Sequence, residues 1–344
     1  MEFSQPLNSY AVKAHSAFCR RPDISPCATL LGQGPSNATN DGDDPADFLG
    51  NFNYKRGGIA LGKIKVLTTI VSATAILAIG DFEGPRPNYG VWSQTRHINI
   101  QFRDTTVPQD RKYQSKTVMW TLRLLSCYLQ DQGEWAEVTW TSKFENEPVV
   151  GFGAMTYRLQ GAIPSTSADG SGDGGGEEEG GNDVGMVTPA TELIDGQPGA
   201  FGGAENAVVT VTNIQVKAQG ASLPPFDFYT LMINLLINLG KANPDLYSTT
   251  VTAYYPAADM SLAITATSVA AASNLLNRYI IASIADLSAK LPNLVQTELL
   301  WRECMWLVRK DGRIIGRGVF HKGKIEAADV NRLMDEEDPD IVVT

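Results

Sequence analysis

Residues 207–267 read AVVTVTNIQVKAQGASLPPFDFYTLMINLLINLGKANPDLYSTTVTAYYPAADMSLAITAT, and their pattern decides the fold. A β-branched run ending in Asn213-Ile214-Gln215-Val216-Lys217 reads as a strand. A polar loop with two prolines follows. Met232, Leu235, Leu236 and Leu239 then recur at helical spacing and line one face. Ser248–Tyr255 and Met260–Thr267 are two further strands around a turn at Pro256–Asp259.

Downstream, Ser268–Ala289 reads as a second helix, with Leu276, Tyr279, Ile280, Ser283 and Leu287 on one side and Pro292 as its stop. Val295–Phe320 forms a hairpin around Asp311-Gly312, a pair suited to the positive φ of a tight turn. From Ala207 the order is therefore β-α-β-β-α-β with one extra strand, the ferredoxin-like plan with both helices on one face of a sheet.

Upstream, the same pattern recurs. Asn99-Ile100-Gln101-Phe102-Arg103 ends a strand, and Val118, Leu122, Leu125 and Leu129 line a helix. Ala136–Ser142 and Val149–Tyr157 make a hairpin that turns at Glu145-Asn146-Glu147-Pro148. Asn99 and Asn213 lie 114 residues apart, and a step of 113 or 114 holds from strand through helix to hairpin. A held order at a near-constant step indicates an internal duplication. The expected class is α+β, with duplicated β-α-β-β units, antiparallel sheets, helices packed on one face and a ferredoxin-like second half.

Composition sets the boundaries. Residues 1–55 are rich in Pro, Ser, Asn, Asp and Gly and read as a disordered tail. Residues 56–160 form half one, 161–204 a Gly/acidic linker that includes STSADGSGDGGGEEEGGNDVG, 205–324 half two, and 325–344 an acidic tail. Within half one, Ile64–Gly80 contains VLTTIVSATAILAIG. It is shorter than the ~20 apolar residues that span a bilayer, and its β-branched content reads as a buried strand or hairpin.

The chain has 344 residues and a formal net charge of −10. That acidity argues against nucleic acid as a partner, because phosphate rewards a basic face. Cys19, Cys27, Cys127 and Cys304 show no C-x-x-C spacing, so a disulfide framework is not expected and a reducing compartment is favoured. With no signal-peptide pattern at the N-terminus, the expectation is a cytoplasmic or nuclear protein. Cys127 and Cys304 read as packed thiols.

Two constellations carry candidate chemistry. If side chains alternate strictly across the Asp311-Gly312 turn, Trp306 faces Arg317 and Arg302 faces His321. Arg302, Trp306, Lys310, Arg313, Arg317 and His321 then form one outward basic stripe, suited to an acidic or phosphorylated protein segment. A solvated face, or the chain's own acidic tail at Asp335–Asp340 docked there, is the plainer reading. The second constellation is the loop Asp81-Phe-Glu83-Gly-Pro-Arg86-Pro, where two acids and an arginine could do acid/base work or simply make a stiff turn. Glu134 and Glu137 around Trp135 read the same way.

The histidines lack metal spacing, and Gly151-Phe-Gly153 and Gly316-Arg-Gly318 lack the context of phosphate loops. No cofactor or metal is expected. The residues point to a non-enzymatic interaction or structural protein that meets a protein partner through the final hairpin. The alternatives are an enzyme with a site between the halves, using Asp81, Glu83 and Arg86, and a small-ligand carrier with an apolar cavity.

Overall fold

The computed structural model describes residues 48–86, 88–93, 97–105, 113–157, 208–217, 220–272, 275–294, 301–326, 329–330, 332 and 341–343. Its elements in chain order are β1 (Phe48–Tyr54), α1 (Lys63–Ile79), β2 (Asn88–Trp92), β3 (Ile98–Asp104), α2 (Ser115–Gln132), β4 (Val138–Phe144) and β5 (Val149–Tyr157). There follow β6 (Val209–Lys217), α3 (Pro225–Lys241), β7 (Thr250–Tyr255), β8 (Met260–Ala266), α4 (Val269–Ala272), α5 (Asn277–Leu294), β9 (Cys304–Lys310), β10 (Arg313–Lys322) and β11 (Ile341–Val343).

Two antiparallel sheets form, one in the order β1-β4-β5-β3-β2 and the other in the order β11-β6-β9-β10-β8-β7. Apart from β11 and the short α4, the second half repeats the first: β6 stands for β1, α3 for α1, β7 for β2, β8 for β3, α5 for α2, and β9 and β10 for β4 and β5. Lys63 and Pro225, Asn88 and Thr250, Ile98 and Met260, and Ser115 and Asn277 each start matching elements 162 residues apart. Val138 and Cys304 start theirs 166 apart. The α+β class and the like halves are as the sequence indicates, but the step of 113 or 114 residues is corrected. The unit β-α-β-β occurs twice within each half, so the sequence match joined one occurrence to the wrong partner.

The second correction explains the first. Ile64–Gly80 is not a strand or hairpin but the helix α1. Its β-branched residues disfavour a helix only weakly, and burial overrides that preference. Val66, Leu67, Ile70, Val71, Ala73, Ala75, Leu77 and Ala78 are all buried, which places apolar side chains right round the helix. The hydroxyls of Thr69 and Thr74 donate back to the carbonyls of Lys65 and Ile70, so neither polar group is orphaned.

α1 is wrapped because it lies at the centre of the molecule. It packs on α2, α3 and α5, while α2 meets α3, so the helices of both sheets form one layer between them. α1 and α3 run side by side in one direction: Lys63 lies over the Phe226 ring, Thr68 Oγ1 meets the Tyr229 hydroxyl at 3.1 Å, and Ala78 approaches Gly240. A single hydrophobic core therefore contains residues of both halves.

Three smaller expectations are also revised. β1 lies within the stretch expected as a disordered tail, and its Phe48 and Phe52 pack beside Trp120, Tyr128 and Trp140. α5 runs through Pro292 to Leu294. In the half with the ferredoxin-like element order, β10 enters between β9 and β8 and every pairing is antiparallel. Among the described residues no helix is long and apolar enough to cross a membrane.

Candidate functional site

The hairpin stripe does not assemble on one face. A bulge between Ile314 and Gly316 shifts the register, so Trp306 pairs with Gly318 and Leu307 with Arg317. Trp306 then points into the helix layer, 2% exposed and packed on Phe320. Lys310 shares that inward parity, and its Nζ sits 4.6 Å above the Tyr279 ring. Arg302 donates to the Gly220 carbonyl. Arg317 and His321 face outward, with His321 Nδ1 2.7 Å from Glu303 Oε1, and Arg313 is exposed at the turn. The expectation of one outward stripe failed because strict alternation cannot register an inserted residue.

Trp306 belongs instead to a motif present in both halves. Trp135-Ala-Glu137-Val-Thr-Trp140 and Trp301-Arg-Glu303-Cys-Met-Trp306 occupy matching places. Each second tryptophan lies flat across a glycine of the next strand. A Cβ on Gly153 would sit 2.5 Å from the Trp140 ring, and one on Gly318 would sit 2.1 Å from the Trp306 ring. Each glutamate closes a strap. Lys55 N donates to the Glu137 carbonyl and Lys217 N to the Glu303 carbonyl, both at 2.9 Å. Glu137 Oε1 accepts from Tyr157 N at 2.8 Å, as Glu303 Oε1 does from Lys322 N at 2.7 Å. Burial pushes the Glu137 carboxyl up, but the Tyr157 and Ile59 amides and Lys55 outweigh it and hold the pKa below the usual value. Glu303 is likewise lowered: burial opposes, and His321 and the Lys322 amide prevail.

The loop at 81–86 is also duplicated. Asp81 Oδ1 accepts from Glu83 N at 3.1 Å, and Glu83 Oε2 lies 2.6 Å from Lys116 Nζ. In the other half Asn243 Oδ1 accepts from Asp245 N at 2.8 Å, and Asp245 pairs with Arg278. Matching backbone bonds run from Ser115 to Gly84 and from Asn277 to Leu246. Arg86 Nε donates to Ser115 Oγ. Two copies of the same Asx turn, each pinned to the first turn of the following helix, identify this loop as architecture.

Where the halves meet, ionisable groups gather beside the start of α1 and α3. Lys63 Nζ donates to Gln130 Oε1 at 2.8 Å and lies over the rings of Trp135 and Phe226. Burial lowers its pKa and raises those of Asp131 and Asp227. Burial takes the Tyr255 phenol up to about 12, helped by Asp227, while Arg123 opposes. The Arg123 guanidinium, 6% exposed, is brought down by burial to about 10.

The outer faces of the sheets differ more than their topology. On the six-stranded sheet Ile325 and Val330 of the C-terminal segment pack on Ala263, Val319 and Met305. Residues 325–330 are thus not all loose tail. Ser261 fixes this segment, donating to the Gly323 carbonyl at 2.7 Å and accepting from Ile325 N at 3.0 Å. On the five-stranded sheet the outward positions are lined by Thr139, Thr141, Gln101, Ala154 and Thr156, with Phe152 40% exposed among them. Asn99 occupies the place of Ser261. It is 1% exposed, and neither its carboxamide oxygen nor its nitrogen has a partner among the described residues.

Cys304 is the buried thiol expected, pushed by burial up to about 12. Cys127 is not: it is disulfide-bonded, to a partner outside the described residues. Disulfides belong to oxidising compartments, so cysteine usage no longer argues for a reducing one. Among the described residues no three His, Cys, Asp or Glu side chains gather as a metal site. The expectations for Asp335–Asp340 and for residues 161–204 lie outside the described residues.

The repeated W-x-E-x-x-W and G-x-G signals were present in the sequence, but at a step near 165 that the shorter match concealed. Asn99 carried no signal by itself; only its match to Ser261 exposes it. No protein-family model, curated protein or solved structure matches this chain.

Proposed function

We propose that this is a non-enzymatic interaction protein: a rigid, duplicated scaffold whose five-stranded sheet offers its outer face to a protein partner. The observation that carries this reading is the difference between two like faces. One is roofed by the chain's own Ile325 and Val330, and on the other Phe152 stands exposed at the position matching Arg317. An exposed aromatic on a polar face is a favoured interface anchor. The final hairpin is the weaker candidate, because Trp306 is core and Arg302, Lys310 and His321 are engaged within the protein.

Native mass spectrometry of protein purified from its own source tests this. A partner at fixed stoichiometry with the wild type, lost on Phe152→Asp and kept on Arg317→Asp, is the expected result. Loss on Arg317→Asp alone would return the contact to the hairpin. A second reading, an enzyme with its site between the halves, draws on the buried seam of Lys63, Asp227, Tyr255 and Arg123, because shifted groups of both signs gather at catalytic sites. Its test is small-molecule retention by the wild type that Arg123→Met abolishes.

A further inference from the structure

We propose that the segment preceding β1 is fastened to the flank of α2 by a disulfide from Cys127 to Cys27. The chain has four cysteines, Cys19, Cys27, Cys127 and Cys304. Cys127 is disulfide-bonded and Cys304 is a free thiol, so elimination leaves Cys19 and Cys27 as partners. Both precede Phe48, where β1 begins. The Phe48 ring packs on Trp120, which lies two turns of α2 before Cys127 and about 10 Å from it along the helix axis. The 21 residues from Cys27 to Phe48 can span that gap several times over.

The repeat shows that packing alone does not ask for a sulfur here. At the 162-residue step between α2 and α5, the counterpart of Cys127 is Ala289, which is buried like it. On α5 the neighbouring Asp286 and Lys290 reach β6, where they bond the Val211 amide and carbonyl. The matching residues on α2 are Leu124 and Tyr128. Both are half-buried and pack on the core, and with Cys127 they form an apolar flank at i, i+3 and i+4 spacing.

That flank selects between the two candidates. Cys127 is 6% exposed, and the equally buried Arg123 lies one turn away. Cys19 is followed directly by Arg20 and Arg21, so bringing it to Cys127 draws two more cations out of water toward a buried one. Cys27 is followed by Ala28-Thr29-Leu30-Leu31, whose aliphatic side chains suit Leu124 and Tyr128. Formation of the bond takes two electrons and two protons from the Cys27 and Cys127 thiols and reduces a disulfide carrier to two thiols. The closed loop takes in β1, α1, β2, β3 and most of α2, so the cross-link restrains the unfolded chain over much of the first half.

Peptide mapping of the full chain, alkylated in denaturant before digestion and kept free of reductant, is the test. Trypsin cuts after Arg20, between Cys19 and Cys27, so the two pairings give different linked peptides. The expected result is the Cys127 peptide joined to the one that holds Cys27, with Cys19 alkylated and both peptides freed by a dithiol. Reduction and Cys27→Ser should then lower the thermal midpoint to the same extent, and Cys19→Ser should leave it as in the wild type. A Cys127–Cys19 link would overturn the choice of Cys27. Alkylated Cys127, or a link between two copies of the chain, would overturn the fastening itself. Cys127→Ala, which the alanine at the matching place on α5 shows the helix can accommodate, should fold and match Cys27→Ser; a wild-type midpoint for both would show that the bond restrains nothing.

Discussion

At the scale of single residues, the molecule spends its unusual side chains on repeated local devices. Trp140 and Trp306 each need a glycine opposite, so Gly318→Ala must displace an indole from the core, and Gly153→Ala must displace an indole and the Gln101 carbonyl. Overpacking of this kind costs about 1–3 kcal/mol, and urea denaturation should show it for both variants; unchanged midpoints would refute the stacking. Glu137 and Glu303 have folded pKa values below their unfolded ones, so their stabilisation is present above about 4.5 and is lost as pH falls through the lowered folded values. Glu303→Gln should therefore destabilise at neutral pH by about 1.5–3 kcal/mol, the worth of charge-assisted hydrogen bonds, and should flatten the acid limb of stability against pH. A variant with the acid limb of the wild type would show that the carboxylate is not held as described. Thiol labelling separates the cysteines: without reductant Cys127 should stay unlabelled even in denaturant, whereas Cys304 should label once the chain unfolds.

At the scale of elements, α1 shows both the reach and the failure of sequence reading. Alternation and helical spacing located α2, α3, α5 and the hairpins, because their apolar residues gather to one side in the sequence, even though nearly every side chain of the three helices is buried or half-buried in the fold. α1 is apolar nearly all round, and even its half-buried side carries Ile76 and Ile79, so its sequence has no amphipathic period to read, and its β-branched content pointed to a strand. The bulge at Ile314 was hidden for a related reason: one extra residue leaves composition unchanged yet inverts every side chain beyond it. The Asp81 loop was legible as a turn, but only its structural twin at Asn243 shows that the turn is a repeated element of the fold. Since α1 touches α2, α3 and α5, Ile70→Ala should cost about 2–5 kcal/mol and should lower the melting of both sheets together. Separate melting of the two halves in calorimetry would contradict a shared helical layer.

At the scale of the whole molecule, two like halves bury their helices against each other and turn both sheets outward. That arrangement converts the interior into one core and leaves the sheet faces as the broad surfaces for contact. One face is occupied by the chain's own C-terminal segment, and the other presents Phe152. The proposed function rests on departures from the repeat more than on the repeat itself, since the matched features account for folding. Hydroxyl-radical footprinting of the protein with and without its partner tests this most directly. The account predicts that partner binding protects Phe152 from oxidation and leaves Met305 and His321 unchanged. Protection of Met305 and His321 with Phe152 still reactive would place the contact on the opposite sheet and contradict it.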